Sequence, residues 1–317
     1  MPFKRDIQSE KPVASIPIGK VGIRNVIRTI DIIQDNLKFS INADIEAYIA
    51  LPGTQRGIHM SRTAESIEEV INNASFKPAS SFEQFCTRIV DLLLLEHKYT
   101  NHAEVEMKGK LFVKRKTTDR DQVQKSYNIF SKAIGDINGE GEKIRKVYVG
   151  VEAEGITACP CAKEMSVEYS KELIKSRNQK LNDEEIDEIL NVIPIASHNQ
   201  RATGEIIIGT EITNGTDQLI DILELVNVIE NSMSGKIQSV LKRPDEAELV
   251  RIAHLNPRFV EDVVRESAML LSSPKFSYLP DNSYVKITAD TQESIHHHDA
   301  YAELETSMQD IRDQFKK

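Results

Sequence analysis

Several short segments carry side chains that can bind a metal ion or move protons. Cys159 and Cys161 flank Pro160, which fixes its own φ angle and makes this a stiff local unit. Three consecutive histidines, residues 296–298, follow a predicted strand, and in extended backbone the first and third share a face. Thiol and imidazole groups together favour a borderline metal such as iron(II) or zinc(II) over magnesium or calcium.

Three further candidates are less specific when each is taken alone. His198 opens the segment HNQR before a predicted strand, and Arg201 in the same segment can orient a ring or a phosphate. Glu246 follows Pro244 at a predicted helix start, where a carboxylate also simply complements the helix dipole. Glu261 lies on a predicted helix, where it has the features of a surface carboxylate.

A glycine-bearing loop, GIHMSR (57–62), connects a predicted strand with a predicted helix. Backbone N–H groups at a helix start bind anions, and the basic side chains of Arg56 and Arg62 add positive charge. Together with His59, this loop would therefore suit a triphosphate.

Composition excludes several classes of protein. The chain has 317 residues and a formal net charge of -9, which argues against a general binder of nucleic acids or membrane surfaces. Its N-terminus lacks the apolar core of a signal peptide, and no stretch approaches the length of a spanning helix. Three cysteines argue against a disulfide framework. We therefore predict a cytoplasmic protein.

The elements that must position these groups are predicted from hydrophobic periodicity. Apolar residues alternate strictly from Leu37 to Ile49, which predicts a half-buried strand, and helical spacing follows from Phe82 to Leu93. The second half repeats this order loosely. We predict an α+β fold with one module in residues 1–140 and a second in residues 141–317, each with antiparallel strands backed by a helix pair.

Helix boundaries are predicted from capping residues. Thr63 is predicted to cap the first helix, and Asn256 to cap another, with Pro257 at its first position. A highly charged stretch, residues 164–193, is predicted to insert a helical hairpin into the second module, with Asn182 capping its second helix.

Six motifs, in the same order along the chain, resemble the type IB GTP cyclohydrolases. The resemblance extends from residue 6 to residue 302. The motifs are GIHMSR (57–62), CPCAKEMS (159–166), HNQR (198–201), LKRPDE (241–246), NPRFVED (256–262) and ESIHHHDAYA (293–302).

This resemblance implies tandem tunnelling-fold (T-fold) modules, a homo-oligomer such as a dimer of dimers, and active sites at subunit boundaries. It implies iron(II) as the metal, with manganese(II) or zinc(II) as alternatives. The ligands that it implies are Cys159, His198, Glu246 and His296.

It also implies that Glu261 would anchor the guanine of the substrate GTP by accepting hydrogen bonds from two adjacent donors. From their positions in the sequence, we expect Arg62 and Arg201 to neutralise the phosphates, and His59 is a further candidate for binding the substrate. Cys159 and His298 are the candidate catalytic groups, with His297 as an alternative for proton transfer.

The implied reaction is hydrolysis at C8 of GTP with release of formate. The charged insertion resembles the archaeal branch, whose product is 7,8-dihydroneopterin 2′,3′-cyclic phosphate, a precursor of methanopterin-type cofactors. The alternatives are a triphosphate product, another purine or pterin hydrolase on the same fold, or a non-catalytic metal-binding T-fold protein. The last would hold a closed structural site, so removing the metal would unfold it.

Overall fold

A computed structural model describes residues 6–34, 37–73, 81–116, 122–178, 180–212 and 220–316. These residues form an α+β structure with antiparallel strand pairing and eight α-helices. The predicted fold class is confirmed at this level. None of the described helices is long and apolar enough to cross a membrane. Contacts divide the chain into two compact units.

The first unit comprises the described residues of Met1–Phe112, Ser126–Gly150 and Ile207–Ile222. Neighbouring strands within it follow the order β1–β2–β3–β4. It contains the whole or the larger part of β1 (Ile18–Gln34), β2 (Leu37–Leu51), α1 (Met60–Asn73), α2 (Phe82–Glu96), β3 (His102–Lys116) and β4 (Gln122–Ile137).

Strand β2 shows how the sequence pattern becomes structure. Ile41, Ala43, Ile45 and Ala47 are all buried, whereas the residues between them are more exposed. Successive side chains of a strand point to opposite faces, so one face of β2 enters the core. The strand predicted from this alternation is confirmed.

Helix α2 packs its apolar side closely onto β4. Phe85, Ile89 and Leu93 are completely buried, and Ser81 caps the helix by accepting from the N–H of Gln84. A Cβ atom at Gly135 would lie 2.5 Å from Cγ1 of Val90, so only glycine allows this close approach.

The predicted cap at Thr63 is wrong. Helix α1 begins at Met60, and Thr63 is buried inside it. Its hydroxyl lies 3.1 Å from Nε2 of His97. The threonine therefore satisfies a distant buried imidazole, a contact that local capping rules do not consider.

The second unit comprises the described residues of Val113–Lys125, Val151–Ile206 and Leu223–Lys317. Its strands follow the order β5–β6–β8–β9, and β7 pairs with β5. It contains the whole or at least half of β5 (Lys143–Ala158), α3 (Pro160–Arg177), α4 (Asp183–Val192), β6 (Asn199–Ile212), α5 (Ile222–Ser232), β7 (Gly235–Lys236), α6 (Arg243–Leu255), α7 (Val260–Leu271), β8 (Tyr284–Thr291), β9 (Ala300–Ser307) and α8 (Met308–Phe315).

Helices α3 and α4 occupy the charged stretch and have a small core of their own. Ile186, Leu190 and Ile195 are buried there, with Val167 and Ile174 packed against them. Asn182 accepts from the N–H of Glu185, whose side chain accepts from Asn182 in return. The predicted cap at Asn182 is confirmed.

The predicted helix start at Asn256 is wrong. Helix α6 runs to Leu255, and the N–H of Asn256 donates to the carbonyl of Ile252 as the cap of its C-terminus. The next helix, α7, begins only at Val260, where Asp262 accepts from the N–H of Phe259. Pro257 therefore separates two helices, in keeping with its inability to continue α6.

Candidate active site

Cys159 lies where β5 ends and α3 begins. Its sulfur accepts from the N–H of Ala162 at 3.5 Å, and Pro160 occupies the first helical position. The helix N-terminus presents unpaired N–H groups and a positive dipole end, an environment suited to an anionic sulfur ligand. Cys159 is half-buried, whereas Cys161 is exposed on α3.

The segment before β6 is bound to this helix start by backbone contacts. The N–H of Cys159 donates to the carbonyl of His198 at 3.0 Å, and the hydroxyl of Ser197 donates to the carbonyl of Cys159 at 2.6 Å. Two of the predicted metal ligands, Cys159 and His198, are therefore adjacent through their backbones.

A hydrogen-bonded chain of three side chains orients the imidazole of His198. Nδ1 of His198 lies 3.0 Å from Oε1 of Gln200 and 3.8 Å from Oε2 of Glu293. The amide nitrogen of Gln200 donates to Oε1 of Glu293 at 3.1 Å. Glu293 also accepts from the hydroxyl of Thr291 at 2.9 Å.

This chain fixes the position of the proton on His198. The amide nitrogen of Gln200 is engaged by Glu293, so its oxygen is the atom that faces His198 and can only accept. Nδ1 of His198 must then carry the hydrogen, which leaves a lone pair on Nε2 when the ring is neutral. Histidine ligands of metal ions commonly have this arrangement, with one nitrogen held by an outer partner.

His254 connects helix α6 to the same segment. Its Nε2 lies 3.2 Å from the carbonyl oxygen of Ser197, and its Nδ1 lies 2.8 Å from the carbonyl oxygen of Val250. Glu246 lies exposed in the first turn of the same helix. The helix that carries Glu246 therefore lies against the residue preceding His198.

The three histidines lie exposed between β8 and β9. The rings of His296 and His298 stack, with 5.1 Å between centroids and 12° between planes. The prediction that these two rings lie on the same side is confirmed.

Glu261 lines a cavity of about 760 Å³ in the second unit. Arg258, Met269 and Glu303 contribute to the same wall. Arg258 pairs with Glu266 at 2.9 Å, which neutralises much of its charge. The predicted guanine anchor thus borders a space of the size that small-molecule sites have.

The predicted phosphate-binding residues already have partners in their own units. In the second unit, Arg201 pairs with Glu154 at 3.1 Å. In the first unit, Arg62 donates to the carbonyl of Glu96 at 3.2 Å, and Nε2 of His59 lies 3.1 Å from Asp6. All of these side chains are at least partly exposed.

The predicted ligand set is brought together only in part. Cys159 is adjacent to His198, and His296 stacks on His298, whereas Glu246 lies on its own helix. Within the ranges that the structure describes, no three Cys, His, Asp or Glu side chains are close enough to hold a metal ion. The four-ligand set therefore stays a prediction.

Comparison with known proteins decides the family. Residues 5–302 match the family model described as Type I GTP cyclohydrolase folE2. The chain belongs to the type I GTP cyclohydrolase family. It is 40% identical over 310 residues to GTP cyclohydrolase MptA 2 of Methanocella arvoryzae, with 97% of each chain covered. It is 37% identical over 314 residues to GTP cyclohydrolase MptA of Methanococcus aeolicus, with 98% of this chain and 99% of the relative covered.

Solved structures support the fold of this GTP cyclohydrolase family member. A crystal structure of Bacillus sp. TB-90 urate oxidase matches with a TM-score of 0.51 at 9% identity, covering 92% of this chain and 100% of that one. A hyperthermostable mutant of the same urate oxidase also has a TM-score of 0.51, at 8% identity, with 92% of this chain and 99% of that one covered. At such low identity the likeness concerns the fold alone.

Gln200 and Glu293 are the site residues that sequence reasoning missed, although each lies inside a motif of the GTP cyclohydrolase family. Ninety-three positions separate them along the chain. Their contact forms because the N–H of Gln292 donates to the carbonyl of Arg201 at 3.0 Å. The signal that the sequence offers is their spacing from histidines. Gln200 lies two positions after His198, and Glu293 lies three positions before the histidine run.

Proposed function

We propose that this chain is a GTP cyclohydrolase that hydrolyses GTP at C8, releases formate and opens the imidazole ring. The proposed product is 7,8-dihydroneopterin 2′,3′-cyclic phosphate, formed with release of pyrophosphate, for synthesis of methanopterin-type cofactors. Two relatives named GTP cyclohydrolase MptA cover nearly the whole chain and support this reaction.

The observation that carries the proposal is the pair of hydrogen bonds that orients the imidazole of His198. Gln200 and Glu293 hold Nδ1, so the lone pair of Nε2 is available as a ligand. Cys159 supplies a sulfur at a helix N-terminus, and its backbone N–H donates to the carbonyl of His198. Imidazole, thiolate and carboxylate are the donors that suit iron(II), manganese(II) or zinc(II).

The residues that would hold the metal are Cys159, His198, Glu246 and His296, and iron(II) is the metal that we propose. When bound, such an ion acts as a Lewis acid and activates water for hydrolysis. His298 stacks on His296 and is the proposed proton carrier to the departing ring nitrogen. Its exposed ring can exchange that proton with solvent.

The proposed substrate contacts divide between base and phosphates. Glu261 borders the 760 Å³ cavity and offers two acceptor oxygens to the adjacent N–H groups of guanine. Arg201, Arg62 and His59 supply the hydrogen-bond donors for the phosphates. Arg201 must exchange its partner Glu154 for the substrate, which an exposed ion pair can do at little cost.

The assembly that we propose is a homo-oligomer of tandem T-fold modules, a dimer of dimers in the cytoplasm. The module boundary near residue 140 and the insertion at residues 164–193 belong to the same proposal. Light scattering at micromolar concentration tests the oligomer, and a monomer of 35.8 kDa would contradict it.

The function is tested with purified protein, iron(II) and GTP under anaerobic conditions. One molecule of formate should be released for each molecule of pterin formed. Mass analysis of that pterin distinguishes the cyclic phosphate from the triphosphate. His198→Ala and His296→Ala should each abolish turnover while the circular dichroism spectrum stays unchanged. Formate no higher than in the metal-free control would contradict the proposed function.

A further inference from the structure

A completely buried imidazole, His97, lies at the end of helix α2 in the first unit. Burial lowers its pKa to about 4, so the ring is neutral at pH 7. Nε2 of His97 lies 3.1 Å from the hydroxyl of Thr63, and Nδ1 lies 2.8 Å from the hydroxyl of Tyr99. None of the proposed catalytic steps uses this residue.

The hydroxyl of Tyr99 connects His97 to His59. Besides Nδ1 of His97, it contacts the backbone N–H of His59 at 3.3 Å and Nδ1 of His59 at 3.4 Å. The backbone N–H can only donate, so it occupies one acceptor site of the hydroxyl. Because the hydroxyl has one hydrogen, it can donate to only one of the two imidazoles and must accept from the other.

The other nitrogen of His59 faces a carboxylate. Nε2 lies 3.2 Å and 3.1 Å from the two oxygens of Asp6. Hydrogen bonds from Ser9 and then from His59 hold the pKa of Asp6 below its usual range, so the carboxylate is ionised at neutral pH and can only accept. Nε2 of His59 must therefore carry a hydrogen.

These constraints leave one arrangement for a neutral His59. Its Nδ1 is bare and accepts from Tyr99, and Nδ1 of His97 then donates to Tyr99. The hydroxyl of Thr63 donates to Nε2 of His97, which completes the chain. If His59 gains a second proton, its Nε2 still donates. Nε2 of His59 is thus a hydrogen-bond donor in both charge states.

We propose that Tyr99 and His97 are positioning residues that keep Nε2 of His59 a donor, and that the Asp6 carboxylate marks the place of a substrate phosphate oxygen. The proposal rests on the proposed function, because it assigns His59 to the phosphates of GTP. Carboxylate and phosphate oxygens accept the same hydrogen bond. The side chain of Asp6 is 50% exposed, whereas that of His59 is 15% exposed, so the carboxylate can leave without disturbing the ring.

A second contact of the same kind supports this reading. Arg56, which immediately precedes the GIHMSR loop, pairs with Glu10 at 3.1 Å. The backbone N–H groups of Arg56 and Gly57 both donate to the carbonyl of Gln8. The segment from residue 6 to residue 10 therefore places two carboxylates on two basic side chains, Arg56 and His59, where an oligophosphate would place its oxygens.

The test compares variants for which opposite effects are expected. Asp6→Asn removes the competing charge and should lower the KM for GTP and the Kd for inorganic tripolyphosphate roughly threefold or more. Tyr99→Phe removes the hydroxyl and should raise both roughly tenfold, with kcat changed less than about twofold. Tyr169→Phe is the matched control, because its ring is 68% exposed on α3, and it should change neither constant.

A nitrogen-15 NMR spectrum of the histidine rings checks the tautomer directly. In the wild type the neutral ring of His59 should be protonated at Nε2 alone, and Tyr99→Phe should give a mixture of tautomers. Weaker tripolyphosphate binding in Asp6→Asn would overturn the proposal, and so would a wild-type His59 protonated at Nδ1. If Tyr99→Phe does not fold, tripolyphosphate binding by Asp6→Asn and the wild-type NMR spectrum still test the proposal.

The outcome is separable from that of the proposed function. Formate release from GTP tests the reaction, whereas tripolyphosphate binding and the tautomer need no turnover. If the wild type releases no formate but Asp6→Asn binds tripolyphosphate more tightly than the wild type, the proposed reaction is refuted and the phosphate site is supported. If the wild type releases formate but neither Asp6→Asn nor Tyr99→Phe changes tripolyphosphate binding, the reaction is supported and the phosphate site is refuted.

Discussion

The side-chain amide oxygen of Gln200 lies 3.0 Å from Nδ1 of His198. The amide cannot rotate freely, because its nitrogen is held by Glu293 at 3.1 Å. Glu293 lies three positions before His296, so the contact joins two motifs that are distant in sequence. The orientation of one proposed ligand therefore depends on a residue of the segment that carries another.

Gln200→Ala should weaken metal binding while leaving all four proposed ligands in place. Loss of an outer partner of a metal-bound histidine costs roughly 10- to 100-fold in affinity or activity. A titration of apoprotein with iron(II) under anaerobic conditions measures this. Gln309→Ala is the control, because the amide of Gln309 donates to Asp313 on the surface of α8. Equal affinities in the two variants would contradict the role of Gln200.

The two cysteines of the CPC motif should differ in their effects. Cys159→Ser should reduce formate release by more than roughly 100-fold, since loss of a ligand exceeds the cost of losing an outer partner. Cys161→Ser should retain activity, because Cys161 is exposed on α3 while Cys159 lies at the helix start beside His198. Formate assays and metal analysis of both variants check this. Loss of activity in Cys161→Ser alone would reverse the assignment.

The secondary structure could be predicted where the determining interactions are local. The alternation in β2 and the cap at Asn182 depend on neighbouring residues, and both predictions are confirmed. Thr63 and Asn256 have the right chemistry for capping, and both predictions are wrong. The hydroxyl of Thr63 contacts His97, and the chain after Asn256 is held by the N–H of Arg258 donating to Ala158. Both contacts join residues far apart in sequence.

The site could be predicted only as residue types. The family motifs named Cys159, His198, Glu246 and His296 by resemblance, and the match to the family model confirms the family. Periodicity cannot predict that Gln200 meets Glu293, or that Tyr99 meets His59, because both contacts depend on packing between distant segments. The proton positions on these histidines therefore follow from the heavy-atom contacts of the folded chain and not from the sequence.

Glu261→Gln should weaken the selection of GTP. An amide replaces one acceptor oxygen by a donor, so one of two hydrogen bonds to guanine is lost and kcat/KM should fall roughly 10- to 100-fold. Glu303→Gln is the matched control, because Glu303 lines the same cavity but pairs with Lys286 at 2.9 Å. Steady-state kinetics with GTP measure both. An unchanged rate in Glu261→Gln would remove it from the substrate contacts.

His97 should make the stability of the protein fall in mild acid. Burial lowers the pKa of His97 from 6.5 to about 4 in the folded state, so between these values only the unfolded chain binds the proton. The contribution of the neutral His97 ring to the free energy of unfolding is fully present above pH 6.5. As the pH falls from 6.5 to 4, the free energy of unfolding decreases by about 3 kcal/mol. Urea unfolding at pH 7.5 and pH 5 measures the change.

His97→Asn should reduce the difference in the free energy of unfolding between pH 7.5 and pH 5 by about 2 kcal/mol, since most of the range between the two pKa values lies between these pH values. His297→Asn, which alters an exposed ring, should keep the wild-type difference. An equal pH dependence in the wild type and His97→Asn would show that the buried ring is not held neutral.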